Sequence, residues 1–323
     1  MRSQLYYRAL FLAWVLIALA GCNSEPPTLM RIGTFTWPGY EPLQLASAEG
    51  FYGRHNVRLV EYSSATQVAR AFRNGAIEAA TLTLDETLRL VEQQAHPRVI
   101  LALDASNGAD VVLGQPDVHA LEDLRNRRVG FEPTGVSAYM LARALDHTGI
   151  NPQDVTLVPV EADEHSRAFR EKRVDAIATF EPHRSHLLAE GANLLFDSAD
   201  IPGEIFDVLV IHDSVLEQNP ELAPVVVQGW EQAVRLINDR PEQRAAWLSK
   251  RLGVEPSQLP GLYARVQLLD LKANRAIFSG DHSVIQTGAQ EIMDVMVSHH
   301  MLTAPLDLER LFYPGLTRES VAR

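Results

Sequence analysis

Between residue 29 and residue 211, short apolar runs alternate with stretches in which apolar residues recur at helical spacing. Apolar runs of four to eight residues that are bounded by turn-forming residues are typical of buried strands. The pattern predicts ten strands, at Met30–Phe35, Val57–Tyr62, Ala79–Leu82, Arg98–Asp104, Asp110–Leu113, Arg128–Phe131, Val155–Val160, Ala176–Thr179, Leu194–Phe196 and Ile205–Ile211.

The stretches between these runs predict helices. In Val136–His147, apolar residues return every three or four positions, and Gly149 follows where a helix end favours glycine. Repeated strand–helix order indicates an α/β fold in which each sheet is mostly parallel and is flanked by helices. The predicted helices are Ala65–Asn74, Asp85–Gln94, Val136–His147, Glu164–Lys172 and Pro182–Glu190.

The last third of the chain has a different, almost wholly helical pattern. Pro220–Asn238 places Val226, Trp230 and Ile237 on one face, which predicts a long amphipathic helix. Further helices are predicted at Glu242–Arg251, Pro256–Val266 and Val284–His300.

The strands and helices form an early group and a middle group, which predicts two lobes. The chain would leave the first lobe near residues 112–116 and return with Ile205–Ile211, and two such crossings make a hinge beside a cleft. We expect lobe 1 to contain residues 29–113 and 208–323, and lobe 2 to contain residues 114–207.

The N-terminus has the features of a secretory signal. Arg2 and Arg8 precede an apolar run over residues 9–20, which is shorter than the ~20 residues that a membrane-spanning helix needs. Leu19-Ala20-Gly21-Cys22 also resembles the lipobox of bacterial lipoproteins. The resemblance implies a signal peptide over residues 1–21, lipid on Cys22, a polar leash over residues 22–28, and an exported protein anchored to a membrane facing the periplasm. A membrane anchor followed by an unmodified cysteine is the alternative.

Composition narrows the classes of partner. The formal net charge is −12, and residues 1–21 hold two arginines and no acidic residue, so the chain after residue 21 carries −14. Such a chain repels phosphate backbones and anionic lipids, which disfavours nucleic acid as a partner. The single cysteine excludes an internal disulfide. We expect a monomer with no cofactor and no metal, because His183 and His186 offer too few converging ligands.

Four segments resemble the nitrate/sulfonate/taurine-type solute-binding proteins of ABC importers. They are residues 32–43, the "Ala-Ser-Ala-Glu-Gly-Phe-Tyr" of 46–52, residues 129–145 with Gly-Phe-Glu-Pro-Thr-Gly-Val-Ser, and residues 174–182. The resemblance implies a two-lobed periplasmic-binding-protein fold of type II that feeds an ABC importer. That family includes a hydroxymethylpyrimidine (thiamine-precursor) branch, so the resemblance does not identify the ligand.

Ligands of open α/β sheets lie beyond the carboxyl ends of the strands, and this rule selects the first candidate residues. Trp37, Gly39 and Tyr40 follow the first strand, where a turn presents aromatic faces and the glycine permits close approach. The two aromatic residues are alternatively part of the core. Three further candidates follow later strands and are alternatively helix caps or turn residues: Thr83, Asp85 and Asn107.

The second group of candidates comes from the predicted second lobe and the returning crossing. Backbone N–H groups at a helix start can receive an anion or a polar oxygen, although capping by a threonine is the alternative. The candidates are Glu132, Thr134, Gly135, Val136, Ser137, Glu181 and Asp207.

The charge of the candidates predicts the class of ligand. Neither arginine nor lysine adjoins these loops, whereas an anion site usually contains one. The loops instead carry Glu41, Asp85, Glu132, Glu181 and Asp207, and buried carboxylates need partners. We therefore expect a cationic, amine-bearing or hydrogen-bond-donating heterocyclic solute rather than nitrate or a simple sulfonate.

The most direct interpretation is a solute-binding protein without catalytic activity that closes on its ligand and presents it to an ABC permease. One alternative is a periplasmic sensor subunit whose closure is read by a membrane signalling protein. Another is an enzyme of the same fold. Pyrimidine synthases that resemble this chain carry a cysteine cluster, whereas the only cysteine here is Cys22.

Overall fold

The computed structural model describes residues 29–280, 283–313 and 315, which form two β-sheets flanked by helices. The predicted signal peptide, Cys22 and the leash lie outside the described residues. The eleven strands of the described part are β1 (Met30–Thr34), β2 (Val57–Glu61), β3 (Ala79–Thr83), β4 (Pro97–Ser106), β5 (Asp110–Gly114), β6 (Arg128–Phe131), β7 (Thr156–Pro159), β8 (Ala176–Phe180), β9 (Asn193–Asp197), β10 (Phe206–His212) and β11 (Val266–Leu268).

Helices cover the faces of the sheets and make up most of the C-terminal third. In the described residues they are α1 (Glu41–Ala48), α2 (Ala65–Arg73), α3 (Leu84–Glu92), α4 (Val136–Thr148), α5 (His165–Arg170), α6 (His183–Ala189), α7 (Asp213–Gln218), α8 (Leu222–Asp239), α9 (Pro241–Leu252), α10 (Leu259–Tyr263), α11 (Leu271–Phe278) and α12 (Val284–Ser298).

All ten predicted strands are present. The eleventh strand, β11, begins within a segment that the sequence predicts to be helical. Residues 256–266 were expected to be one helix, but they form a 3₁₀ turn, the short α10 and the first residue of β11. Val266 leaves the helix because it pairs with Ser106 at the edge of β4. A pairing between residues so distant in sequence leaves no trace in local periodicity.

Both sheets are mixed, where the sequence predicted mostly parallel ones. The first sheet has the order β11-β4-β10-β3-β1-β2, and the second has the order β7-β6-β8-β5-β9. β1, β2 and β3 pair in parallel, as do β6, β7 and β8, but β10 and β5 run antiparallel to both of their neighbours. β10 and β5 are the two strands that enter from the other sheet, and β11 also pairs antiparallel, with β4. Lobe 1 and lobe 2 below denote the first and the second sheet with their helices.

The pairing of β5 shows that the first crossing lies nearer to the N-terminus than the sequence predicts. Residues 110–113 were assigned to lobe 1, but β5 pairs with β8 and β9 of the second sheet. The chain therefore crosses over residues 107–109, directly after β4. It returns before β10, whose Phe206 already pairs with Ala105. The two crossings thus lie beside the ends of β4 and β10.

Helix boundaries follow from local chemistry. The Ser64 hydroxyl accepts the Gln67 N–H at 3.3 Å at the start of α2, and α4 ends at Gly149 in the left-handed region, as predicted. α11, which was not predicted, begins where the Asp270 carboxylate accepts the Ala273 N–H at 2.7 Å. In the part of the chain that the structure describes, no helix has the length and apolar character of a membrane span.

α8 packs closely on α1 and on the segment that follows it, and Gly229 is the point of closest approach. Trp230 is fully buried on the same helix. A Cβ atom on Gly229 would lie 2.6 Å from Cε1 of Tyr52, whose hydroxyl donates to the Leu43 carbonyl at 2.9 Å. The ring is therefore held in place and has little freedom to move away.

We expect Gly229→Ala to lower the free energy of unfolding by about 1–3 kcal/mol, because the added methyl overpacks the Tyr52 ring. Gly288→Ala on α12 is the matched control: its Cβ would meet nothing closer than 3.8 Å, so stability should stay or rise by about 0.5–1 kcal/mol. Urea denaturation measures both. Equal effects at the two positions would contradict the packing argument.

Candidate functional site

The loop after β1 places Trp37, Gly39 and Tyr40 against acidic side chains. Trp37 Nε1 donates to Asp104 Oδ2 at 3.2 Å, and the Tyr40 hydroxyl donates to the Asp207 carboxylate. A Cβ on Gly39 would overlap the Asp104 carboxylate, so only glycine allows this approach. All three residues are buried; Trp37 and Tyr40 belong to the hydrophobic core, as the alternative has it, and each also donates a hydrogen bond to a buried carboxylate.

Five buried carboxyl groups gather where the strands cross between the lobes. Asp104 on β4 and Asp207 on β10 are register partners, and Asp207 is also the partner of Thr83 on β3. None of the five is more than 4% exposed. This group, called the acidic cluster below, consists of Asp85, Glu86, Asp104, Asp110 and Asp207.

Three oxygen atoms of the acidic cluster have no hydrogen-bond donor among the described residues. Asp85 Oδ1 accepts from the Thr83 hydroxyl at 2.6 Å and Asp104 Oδ2 accepts from Trp37. The remaining oxygens, Asp85 Oδ2 and Asp104 Oδ1, are buried without a donor, as is Asp110 Oδ2. The Asp104 carboxyl group lies close enough to that of Asp207 for the two to share a proton. Buried polar atoms are nearly always paired, so three orphaned carboxyl oxygens in one place indicate that a donor belongs there.

Burial raises the pKa of the acidic cluster. It raises the pKa of both Asp104 and Asp110 to about 7, and Asp104 contributes to the shift of Asp110 by repulsion. It raises the pKa of Asp207 well above the ordinary range, with Asp104 as a second cause. The cluster is therefore poised to change its charge when a positive group enters.

The cation nearest the cluster does not satisfy it. Burial raises the pKa of Asp85, and the charge of Arg89 acts in the opposite direction. The Arg89 guanidinium, however, donates to the Met301 carbonyl at 3.0 Å. Among the described residues, no arginine or lysine forms an ion pair with a member of the cluster.

Aromatic rings from both lobes meet beside the cluster. Phe180, at the end of β8, lies with its ring centroid 5.9 Å from that of Phe35 and 5.9 Å from that of Trp37, both in edge-on geometry. Phe35 also packs edge-on against Tyr40, at 5.3 Å. Ring faces next to carboxylates suit an organic cation, because rings attract positive charge and cover an apolar body.

The predicted helix opening at 134–137 lies at the contact between the lobes. The Val136 N–H donates to Glu86 Oε1 at 3.0 Å, and the Thr134 and Thr66 hydroxyls are 2.6 Å apart. Glu132 Oε1 accepts the Thr66 N–H at 3.0 Å. Glu132 thus satisfies a backbone donor of the opposite lobe.

The other predicted residues of this turn hold its shape. The Ser137 hydroxyl accepts the Glu132 N–H at 2.7 Å, and the Gly135 N–H donates to the Glu132 carbonyl at 3.2 Å. A Cβ on Gly135 would lie 3.0 Å from Glu132 Oε2, so the glycine keeps this carboxylate close to the turn.

Two predicted residues lie apart from the acidic cluster in their contacts. Asn107 is exposed, and its N–H donates to the Arg265 carbonyl at 2.8 Å, so it serves the crossing loop. Glu181 is buried but fully partnered: Arg184 donates to it at 3.3 Å, and the Ser185 hydroxyl donates at 2.9 Å. Glu181 is held by its own helix, α6, because these donors follow it by one turn.

The sequence analysis missed five residues of the site: Phe35, Glu86, Asp104, Asp110 and Phe180. Two of them carried a readable signal. Asp104 is an acid at the end of the apolar run Val99–Leu103, and Asp110 opens the next buried strand. Both acids flank the loop that follows a predicted strand, and that position satisfies the same rule that selected Asn107.

Metal binding has no geometric support. Among the described residues, no three histidine, cysteine, aspartate or glutamate side chains are placed to hold a metal ion together. His183 lies instead beside Ser166, whose hydroxyl is 2.8 Å from its Nδ1, and burial lowers the pKa of this histidine to about 4.

Comparison with known proteins places this chain in a family. Residues 23–250 match the model of the NMT1-like family. The chain belongs to the NMT1-like family. A relative with a known role is the taurine-binding periplasmic protein of Escherichia coli K12, which is 21% identical over 69% of this chain and 73% of its own length.

Solved structures share the fold of this NMT1-like protein. The alkanesulfonate-binding protein SsuA from Xanthomonas axonopodis pv. citri, bound to MOPS, superposes with a TM-score of 0.75 at 19% identity over 90% of this chain and 99% of its own. The desulfurization enzyme DSZB superposes with a TM-score of 0.64 at 18% identity over 90% of this chain and 97% of its own. The two-lobed binding-protein fold is confirmed, and it carries both binding proteins and an enzyme.

The raised pKa values predict how stability depends on pH. The ordinary pKa of an aspartate is 3.8, and that of Asp104 and Asp110 in the folded protein is about 7. Between these values the unfolded chain loses protons that the folded protein keeps, so the free energy of unfolding falls as pH rises from about 4 to about 7. Asp104→Asn and Asp110→Asn should therefore stabilise the ligand-free protein at pH 8, on the order of a few kcal/mol, and not at pH 3.5.

Asp175→Asn is the control of opposite sign. The Arg128 guanidinium lowers the pKa of Asp175, so this carboxylate contributes stability at neutral pH that is lost as pH falls below its ordinary pKa. Its Asn variant should lose stability at pH 8. Denaturant unfolding at several pH values measures all three, and a stability of Asp104→Asn that parallels the parent protein at every pH would refute the burial argument.

Proposed function

We propose that this protein is an exported, lipid-anchored solute-binding protein that encloses a small organic solute with a protonated nitrogen between its lobes and delivers it to an ABC importer. The observation that carries the proposal is the set of orphaned carboxyl oxygens on Asp85, Asp104 and Asp110. These oxygens are buried between the two lobes, and relatives of this chain are periplasmic binding proteins.

A protonated nitrogen supplies what these oxygens lack. Its N–H groups donate to buried acceptors, and its charge offsets the repulsion among Asp104, Asp110 and Asp207. A sulfonate or nitrate would add negative charge and more acceptors to the same place. The relatives named for taurine and alkanesulfonates are about 20% identical to this chain, a level at which a shared fold does not determine the ligand.

Closure about the crossing strands is the proposed mechanism. Lobe 1, over residues 29–106 and from residue 206 onward, would supply Trp37, Tyr40, Asp85 and Asp104, and lobe 2, over residues 107–205, would supply Asp110 and Phe180. Because the solute touches both lobes, it stabilises the closed arrangement over the open one. No chemical step is needed for this function.

Anchoring through Cys22 is part of the proposal. The match to the NMT1-like family begins at residue 23, directly after the cysteine, which supports processing at that point. The polar residues 23–28 then separate the lipid from β1. We propose that the protein acts as a monomer at the membrane, close to its permease.

A binding screen tests the solute class. We expect primary amines and nitrogen heterocycles to raise the melting temperature of the protein, and alkanesulfonates to leave it unchanged, because only the folded state binds. Near pH 7 the bound cation lowers the pKa of Asp104 and Asp110, so calorimetric heats should vary with the ionisation enthalpy of the buffer as protons are released.

Asp104→Asn should weaken amine binding about 10-fold or more, since it removes a buried charge-assisted acceptor. Asp123→Asn, at an exposed carboxylate of lobe 2, is the control and should bind like the parent protein. Binding of taurine or an alkanesulfonate more tightly than any amine would overturn the proposed solute class and leave the binding function standing.

Lipid attachment has its own test. Cells fed a labelled fatty acid should incorporate the label into the parent protein, and Cys22→Ala should abolish incorporation and change the size of the processed chain. Ser24→Ala, in the polar leash, leaves the cysteine, the apolar run and both arginines intact and serves as the control. Equal labelling of the parent and Cys22→Ala proteins would exclude this anchor.

A further inference from the structure

Two helix N-termini face each other across the contact between the lobes, and each receives a carboxylate from the opposite lobe. At the start of α2 in lobe 1, the Thr66 N–H donates to Glu132 Oε1 of lobe 2 at 3.0 Å. At the start of α4 in lobe 2, the Val136 N–H donates to Glu86 Oε1 of lobe 1 at 3.0 Å. The arrangement is reciprocal, because each lobe supplies one glutamate and one helix start.

Glu86 is fixed before it reaches across. Its Oε2 accepts the Thr83 N–H at 3.0 Å, which anchors the carboxylate to the start of its own helix. The backbone of Glu132 is held by its N–H, which donates to the Ser137 hydroxyl at 2.7 Å. Glu86 and Glu132 are 2% and 1% exposed. The Glu86 side chain, held in this way, loses little conformational entropy when the lobes meet.

Smaller contacts surround this pair. The Ser64 hydroxyl donates to Glu161 Oε2 at 2.8 Å, and the Thr66 and Thr134 hydroxyls are 2.6 Å apart. All of these bonds join α2 and its cap to the loops of lobe 2. They exist only while the lobes are together, so they favour the closed arrangement.

We propose that Glu86 and Glu132 form a reciprocal latch that holds the lobes closed and keeps anionic solutes out by occupying both helix N-termini. Exposed N–H groups at a helix start attract anions. Here the protein's own carboxylates take two of these donors, and an entering anion would have to displace one of them. Displacing Glu86 would leave its carboxylate beside Asp85, where its charge has no partner.

The latch adds to the proposed function, because it explains why anionic solutes are excluded from the site. It rests on that function only in placing the solute between the lobes. It does not depend on the identity of the amine, since neither glutamate is among the groups with orphaned oxygens.

Hydrogen exchange of the full-length protein tests the closing role. We expect Glu86→Ala to speed amide exchange in residues 134–140, which contain its direct partner, and also in residues 64–72, which contain the other half of the latch. Glu132→Ala should do the same from the other side. Exchange that changes only in the segment bonded to the mutated glutamate would show two separate caps and would overturn the latch.

Glu92→Ala is the matched control. Glu92 lies on the same helix as Glu86 and also accepts a backbone N–H, from Thr303 at 2.7 Å, but within lobe 1. It should speed exchange near Thr303 alone. If the alanine variant at residue 86 does not fold, Glu86→Gln keeps the shape and removes the charge, and it should show a smaller rise in both segments.

Calorimetry with methanesulfonate tests the exclusion of anions. The parent protein and Glu92→Ala should show no binding of methanesulfonate. Glu86→Ala and Glu132→Ala should bind it, with an affinity at least 10-fold above that of the parent. Parent-level binding in every folded variant would overturn this half of the inference. Failure of the protein to bind any amine, with the exchange and sulfonate results as expected, would reject the proposed solute class and leave the latch standing.

Discussion

The cost of burying carboxyl groups without donors is the constraint on which the rest of this structure depends. Asp104, Asp110 and Asp207 lie where the chain passes between its two sheets, and the fold leaves part of their hydrogen-bonding capacity unused. Trp37 and Tyr40 take up some of that capacity from one side. The remaining capacity is the basis on which we propose a positive, donating ligand, since such a group restores the hydrogen bonds that these carboxyl groups lose when folding removes them from water.

We propose that selectivity in this NMT1-like protein arises from two sets of acids with different roles. Asp85, Asp104 and Asp110 keep free oxygens, whereas Glu86 and Glu132 use theirs on backbone N–H groups of the facing lobe. The first set attracts cations and the second removes the donors that would attract anions. A shared fold therefore serves sulfonates in some relatives and, as we propose, amines here, through residues that sit on conserved geometry rather than through a new architecture.

Sequence analysis predicted the strands well because apolar runs bounded by turns are a local signal. It misplaced residues 110–113 because nothing local distinguishes a strand of one sheet from a strand of the other; only pairing with β8 and β9 decides this. Glu86 escaped notice for a related reason. It lies three residues after Thr83, a spacing that local helix capping explains completely, and its second role exists only once the lobes approach.

Asp104 and Asp207 are neighbours on the two strands that also carry the chain from one lobe to the other. We therefore expect the solute to bind on the axis about which the lobes rotate, and not at the outer edges of the lobes. A change of charge at Asp104 or Asp207 acts directly on the crossing strands. Ligand binding and lobe closure are therefore coupled without a chain of residues between them. A solute of the right charge would restrict rotation about the hinge directly. A solute too long to fit at the hinge would prevent the lobes from closing.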